Sequence, residues 1–500
     1  MATTPSPCCL QDWIFPVVLA LFLGVLSMFS GQVGWGIWDQ NGVSLLVWLL
    51  KSGGQAYQTV FTAMPPLFVG GAWIASRLPA QYWAILAVNA GFGAGIFMGS
   101  WWLLRRAGMA GFWAMTLPFA VVAGTTVVTG FWWYNAATFA VQFLWICAVV
   151  SLERQPSRWD VGILGVMNAV ILSAKPHTSL VLWASFVLYA LLFQRRWLWS
   201  LPLTFGILAV LPVHWAGYFE ALILNQGRAH FMQGLADHIQ ANWMLRKAGV
   251  PILAFYAGFS ALFWSVSVAR FGKDLRRWIL GGGILIAGLL SFASDSILIS
   301  ECAGFWIGSL LVAGVGFADP LPKWARIWVC LGLASLMTLS GIFMVRHTRS
   351  HYTFDLSAPQ VRIVDPRSFL EGQVTGTRLP LVLQELATAQ RQCGWTSQSR
   401  IRFGPGLEFA YPHLGMIPPA PQVLYWEGFN RSEPLVTATI QAPVDAWVLA
   451  YSDLDHQEFV NHYPKDLLNV IHGLPVLFQG KTLIVYGPPN TQKNNQDWTK

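Results

Sequence analysis

The chain has 500 residues, 55% of them hydrophobic and 11% charged, with a formal net charge of +8. A soluble globular domain carries about 25% charged residues, so a soluble enzyme of this length is excluded. The basic residues fall in pairs between apolar stretches and form no single stripe, which excludes a nucleic-acid-binding face. The 27 Trp and 32 Phe suit a protein with many membrane interfaces, where aromatic rings anchor. Six cysteines are scattered along the chain and show neither a pairing framework nor a metal-like spacing.

A membrane-spanning helix needs about 20 apolar residues. Trp13–Ser30 is the first such stretch. It lacks the flanks of a cleaved signal peptide and reads as a retained helix. A long mixed stretch, Gly31–Pro79, follows. Further spans are expected at 80–104, 109–128, 135–152, 160–174, 177–193, 197–217, 249–269, 278–297, 302–318 and 325–345. Arg105/Arg106, Arg154/Arg158, Arg195/Arg196, Arg270/Lys273/Arg276/Arg277 and Lys323/Arg326 occupy alternate loops. The positive-inside rule makes those loops cytoplasmic. Pro65–Leu78 is apolar but too short to cross, and a crossing there would invert the charge pattern. It is therefore placed at the outer interface, as is a helix over Asn41–Lys51.

The tail after Val345 has no long apolar run. Strands are expected at Gln422–Tyr425, Leu435–Ile440, Ala446–Tyr451 and Thr482–Tyr486, and helices at Leu379–Gln392 and Pro464–His472. The expected fold is thus an α-helical polytopic membrane protein with about eleven spans over residues 1–345, its first outer loop at 31–79. A C-terminal extracytoplasmic α/β or α+β domain follows over 346–500. The N-terminus is expected in the cytoplasm and the C-terminal domain outside, with a bacterial inner membrane favoured by the lack of an outer disulfide framework.

The first outer loop reads GQVGWGIWDQNGVSLLVWLLKSGGQAYQTVFTAMPPLF. Asp39 lies close after the first span, and a carboxylate at a membrane surface is costly without a partner or a task. An amphipathic stretch, Gly53-Gly54, Tyr57 and Pro65-Pro66-Leu67 follow in order. This pattern resembles the first outer loop of the GT-C glycosyltransferases, in the branch of the protein O-mannosyltransferases and lipid A aminoarabinose transferases. Those enzymes carry an acidic pair where this chain has Asp39-Gln40. Asn135, in GFWWYNAATFAVQFL, matches their polar residue at the outer start of the fourth span. Lys175, in Ser173-Ala174-Lys175-Pro176-His177, matches their lysine between the fifth and sixth spans. The resemblance covers about residues 12–200.

What the resemblance implies is transfer of a sugar from a polyprenyl-phosphate donor to an acceptor at the outer surface, with inversion. Transfer needs a base for the acceptor hydroxyl and positive charge at the departing phosphate. Asp39 is the candidate base. Lys175 is the candidate phosphate contact, with Tyr57, Asn135 and Gln40 as further substrate-binding positions. The outer loop Tyr218–Lys247 adds Arg228 and Arg246 as phosphate contacts. His230 and His238 are not spaced as a helical metal pair, and no metal-ligand set is assigned, although the resemblance leaves a divalent metal open. The glycolipid, polysaccharide or protein acceptor is not specified. The competing reading, a transporter or flippase, expects paired repeats and broken helices; no second copy of the first-loop pattern occurs.

Overall fold

The structure, a computed structural model, describes residues 10–33, 39–62, 64–78, 81–127, 129–224, 275–294, 331, 359–365, 368–404, 406–420, 422–423, 433–450 and 465–488. The spans expected at 249–269, 302–318 and, but for residue 331, 325–345, and the candidates Arg228 and Arg246, lie outside the described residues.

Helix α1 covers Leu10–Gln32, α2 Asp39–Lys51, α3 Pro66–Arg77, α4 Gln81–Arg106, α5 Gly111–Val122 and α6 Tyr134–Arg154. Then come α7 at Asp160–Leu172, α8 at Pro176–Phe193, α9 at Ser200–Val210, α10 at Trp215–Leu224 and α11 at Leu275–Ser294. Four helices among the described residues, at Asp12–Gln32, Tyr82–Arg106, Tyr134–Arg154 and Pro176–Phe193, are long and apolar enough to cross a membrane. The span expected at 197–217 is broken: Arg195–Val210 and Trp215–Leu222 meet at 93°. Both short helices of the first loop are present. At 12 residues, α3 reaches about 18 Å, well below the roughly 30 Å of a hydrocarbon core.

The bundle is tied by polar contacts where its backbone departs from ideal helix. Pro118 lies inside α5, which ends in a π-helical turn over Ala123–Val127. Thr126 O accepts from Gly130 N at 3.0 Å and has a second lone pair to offer. Thr126 O accepts from Ser27 Oγ of α1 at 3.0 Å and from Asn89 Nδ2 of α4 at 2.8 Å, so three helices share one satisfied acceptor. Gly31 and Gly130 meet backbone to backbone, and a Cβ on either would collide with the other's main chain. At the opposite end of these helices, Arg106 donates to Gln155 O at 2.8 Å and Arg154 to Ala107 O at 2.9 Å.

The C-terminal part holds strands β2 (Gln360–Arg362), β3 (Val374–Gly376), β4 (Ile401–Phe403), β5 (Gln422–Val423), β6 (Ala446–Ala450), β7 (Val476–Gln479) and β8 (Leu483–Tyr486). Four of them make a mixed sheet in the order β4-β6-β8-β7, with β4 parallel to β6 and the other pairs antiparallel. The helix Arg378–Gln392 packs on it. The strand expected at Leu435–Ile440 is instead a helix, Glu433–Gln441. Its β-branched residues suggest a strand, but Val436 and Thr439 are buried and Ile440 half-buried. That spacing fits one helical face, and Val436 packs on Leu467, Leu468 and Ile471 of the helix Lys465–His472. Tertiary packing overrides local propensity here.

This part does not stand apart from the membrane helices. Val43, Leu46, Phe68 and Tyr82 belong to one continuous apolar cluster with Phe369, Leu379, Phe403 and Tyr411. Strand β1 (Val60–Phe61) of the first loop pairs in parallel with β5. Val33 bridges Val374, and Gln373 Nε2 donates to Gly31 O at 3.2 Å.

Candidate functional site

Contacts join the starts of α3, α6 and α8 at one end of the bundle. The residue before a proline is pushed toward extended backbone, and proline suits the first helical position. Pro66 and Pro176 therefore set the starts of α3 and α8, with Pro65 and Lys175 at the caps. Leu67 N, in the first turn of α3, donates to Ser173 O at 2.7 Å. The Pro65-Pro66-Leu67 segment is thereby seated on the Ser173–Lys175 turn.

Lys175 is buried at 4% exposure. Its Nζ donates to Asn135 Oδ1 at 3.1 Å and lies 5.5 Å from the centre of the Tyr134 ring. Its backbone N–H donates to Thr138 Oγ1 at 3.3 Å, and its carbonyl accepts from Ser179 N at 3.1 Å. Lys175 and Asn135, 40 residues apart, are thus brought into contact. A lysine at a helix N-terminus stands at the positive end of the dipole. Here it meets the starts of both α6 and α8, with α3 alongside. Buried positive charge and converging helix N-termini make an anion-binding environment.

The polar face continues along α6. Asn135, Thr138 and Gln142 are spaced three and four residues apart, on one side of the helix. Gln142 Nε2 donates to Thr178 Oγ1 at 3.0 Å and to Ser179 Oγ at 3.3 Å. Its Oε1 is buried without a hydrogen-bond partner among the described residues. Tyr134, Thr138 and Gln142 were not singled out from sequence, although their helical spacing with Asn135 was visible there.

Tyr57 has φ +66°, a left-handed conformation that is uncommon for a bulky residue. Its neighbours hold it: its N–H donates to Val60 O at 3.0 Å and its hydroxyl to Met64 O at 2.6 Å. Its ring meets Tyr218 of α10 edge-on at 5.2 Å. Burial, with the neighbouring Tyr218 second, pushes its phenol well above the usual tyrosine range, so the proton on the bond to Met64 is firmly kept. Tyr57 hence sets the path of the chain immediately before the Pro65-Pro66 seat.

Asp39 opens α2. Gln40, buried, donates through Nε2 to the Tyr82 hydroxyl at 2.7 Å. Asn41 Nδ2 donates to Gly406 O at 2.9 Å, and Trp48 Nε1 to Met416 O at 2.7 Å. The helix that begins at Asp39 is therefore held by the C-terminal part along its length. Tyr82 and Trp48 carried no recognisable signal in the sequence, and Gly404-Pro405-Gly406 carried only that of a turn, because each acts through a contact dozens to hundreds of residues away. No group of three or more His, Cys, Asp or Glu that could hold a metal occurs among the described residues.

A bundle of apolar helices, a two-helix first loop and a C-terminal mixed sheet seated on that loop make up the fold. Two structures of ArnT from Cupriavidus metallidurans share it. The one bound to undecaprenyl phosphate matches with a TM-score of 0.52 and 12% identity, covering 96% of this chain and 98% of that one. The apo structure matches with a TM-score of 0.53 and 12% identity, covering 95% and 98%. At that identity the likeness is one of fold, and it is the fold toward which the first-loop resemblance pointed. No family model matches the sequence, and no curated protein does either.

Proposed function

We propose that the protein is a membrane glycosyltransferase that moves a sugar from a polyprenyl-phosphate donor to an acceptor at the outer face of the membrane. The observation that carries this reading is the buried Lys175–Asn135 pair at the joined starts of α3, α6 and α8. It is a site suited to a phosphate, in a fold shared with a protein that holds undecaprenyl phosphate.

In this reading the acceptor hydroxyl attacks the anomeric carbon opposite the phosphate, so the centre inverts. The acceptor O–H proton passes to the Asp39 carboxylate. The bond from the anomeric carbon to the phosphate oxygen breaks, and the electron pair leaves on the polyprenyl phosphate. Lys175 offsets the charge gathering on that phosphate, a contribution strongest where water is excluded. Asn135 fixes the lysine, and Tyr57 fixes the loop that leads to the Pro65-Pro66 seat. Arg228 and Arg246 are further phosphate contacts. The bundle of residues 1–345 then holds the donor, and residues 346–500 form an extracytoplasmic domain over the acceptor side, in a bacterial inner membrane.

The test uses purified protein in lipid with a panel of polyprenyl-phosphate sugars and a cell-envelope glycolipid extract as source of acceptor hydroxyls, following release of free carrier phosphate. Wild type releases it, and Asp39→Asn does not. Normal release by Asp39→Asn would remove the base assignment.

A further inference from the structure

The loop that seats the C-terminal part on α2 carries a buried acid that no step above uses. Glu408 follows Gly404-Pro405-Gly406-Leu407. It is 8% exposed, and its Oε2 has no hydrogen-bond partner among the described residues. Gly406, two residues earlier, accepts from Asn41 of α2, and Met416, eight residues later, accepts from Trp48. Leu407, Phe409, Ala410, Tyr411 and Met416 are all buried in the shared apolar cluster. The carboxyl is therefore buried in the segment that seats α2, and the backbone of Gly406, which accepts from Asn41, also hydrogen-bonds it.

We propose that Glu408 is a positioning residue that holds the start of α2 only while its carboxyl is neutral, so that seating of the C-terminal part on the first loop is proton-linked. A buried carboxylate lacking a hydrogen bond on one oxygen is costly, whereas the neutral acid is tolerated. Burial moves this carboxyl from its ordinary value of 4.5 up to about 8, against weaker opposing backbone hydrogen bonds from Glu408 and Gly406.

The ionisable groups around it among the described residues are few. Tyr411 feels both Glu408 and Arg402 of β4. Arg402 is itself engaged with Pro419 O and with the face of Trp447. His413 is held below its ordinary value by burial, with Asp365 opposing, and its Nδ1 lies 3.2 Å from Ser368 Oγ. Helix α2 presents the uncharged Asn41 and Trp48 to the loop, its charged residues being Asp39 at its start and Lys51 at its end.

The sign follows from the raised value. Below about pH 4.5 seated and unseated forms both keep the proton, and Glu408 exacts no penalty. Between about 4.5 and 8 only the seated form keeps it, so seating weakens by about tenfold per pH unit. Above about 8 both are ionised and the loss levels off. His413 works in the opposite direction, because a depressed histidine favours the folded form as pH rises.

The experiment is hydrogen exchange on the full chain in lipid between about pH 5 and 8, corrected for intrinsic rates and read at α2 and the 404–416 loop. Wild type is expected to lose protection with rising pH. Glu408→Gln is expected to keep its protection, with only the opposite trend of His413 remaining. Asn41→Ala, which weakens the seat without touching the acid, is expected to lower protection at every pH and preserve the wild-type slope. A flat wild-type profile, or the wild-type slope retained in Glu408→Gln, overturns the proposal. The readout needs no sugar donor, so it stands or falls independently of the transferase reading.

Discussion

Lys175 shows how one side chain depends on its surroundings. A buried ammonium needs acceptors, and Asn135 supplies one at 3.1 Å. Hydrogen bonds to charged groups contribute about 1.5–3 kcal/mol, so Asn135→Ala is expected to lower the unfolding free energy by about that amount, measurable by denaturant titration in detergent. Lys175→Met removes both the charge and its desolvation cost. It is expected to leave stability nearly unchanged while carrier-phosphate release falls by about a hundredfold or more, the scale of losing one transition-state donor. Equal losses of stability in both variants would indicate that the lysine is a structural ion alone. The identity of Lys175 and Asn135 as a pair was not contained in their spacing. The family resemblance singled out each one, and only the shared starts of α6 and α8 put them in contact.

At the level of elements, hydropathy and basic-residue alternation located α1, α4, α6 and α8 to within a few residues, because a membrane helix must satisfy its backbone internally and so displays its length in the sequence. The same argument assigned α3 to the outer interface, and at 12 residues it is too short to cross. What it does not record is where helices deform. The π-helical turn at Ala123–Val127 is contacted by Ser27 and Asn89, which lie on other helices. Asn89→Ala is expected to destabilise by about 0.6–1.7 kcal/mol, the range for polar contacts between membrane helices, as read in a thermal or denaturant series. The strand assigned from the β-branched residues at 435–440 failed for a related reason. Its helical form is set by the packing of Val436 on the helix Lys465–His472, a partner invisible to local propensity.

For the whole molecule, the principal result is that the first loop and the C-terminal part share one core. The division at 345 followed from a change in composition, and composition is silent on contacts such as Asn41 with Gly406, 365 residues apart. The orientation read from basic residues makes a direct prediction. In right-side-out vesicles a cysteine replacing the exposed Gln398 should react with an impermeant maleimide. One replacing the exposed Ala110, beside Arg105 and Arg106, should react only after permeabilisation. The reverse pattern would overturn the sidedness on which the transferase reading depends.

The crossed contacts of Arg106 with Gln155 O and Arg154 with Ala107 O bear on how such a chain is made. During insertion these arginines would be read only as positive charge, and lysine serves that purpose equally. In the finished bundle they act as staples, for which a planar fork fits and an ammonium does not. Biogenesis and architecture therefore place separate demands on the same two positions. A doubly Lys-substituted chain should insert with unchanged topology, yet yield a product that unfolds more readily.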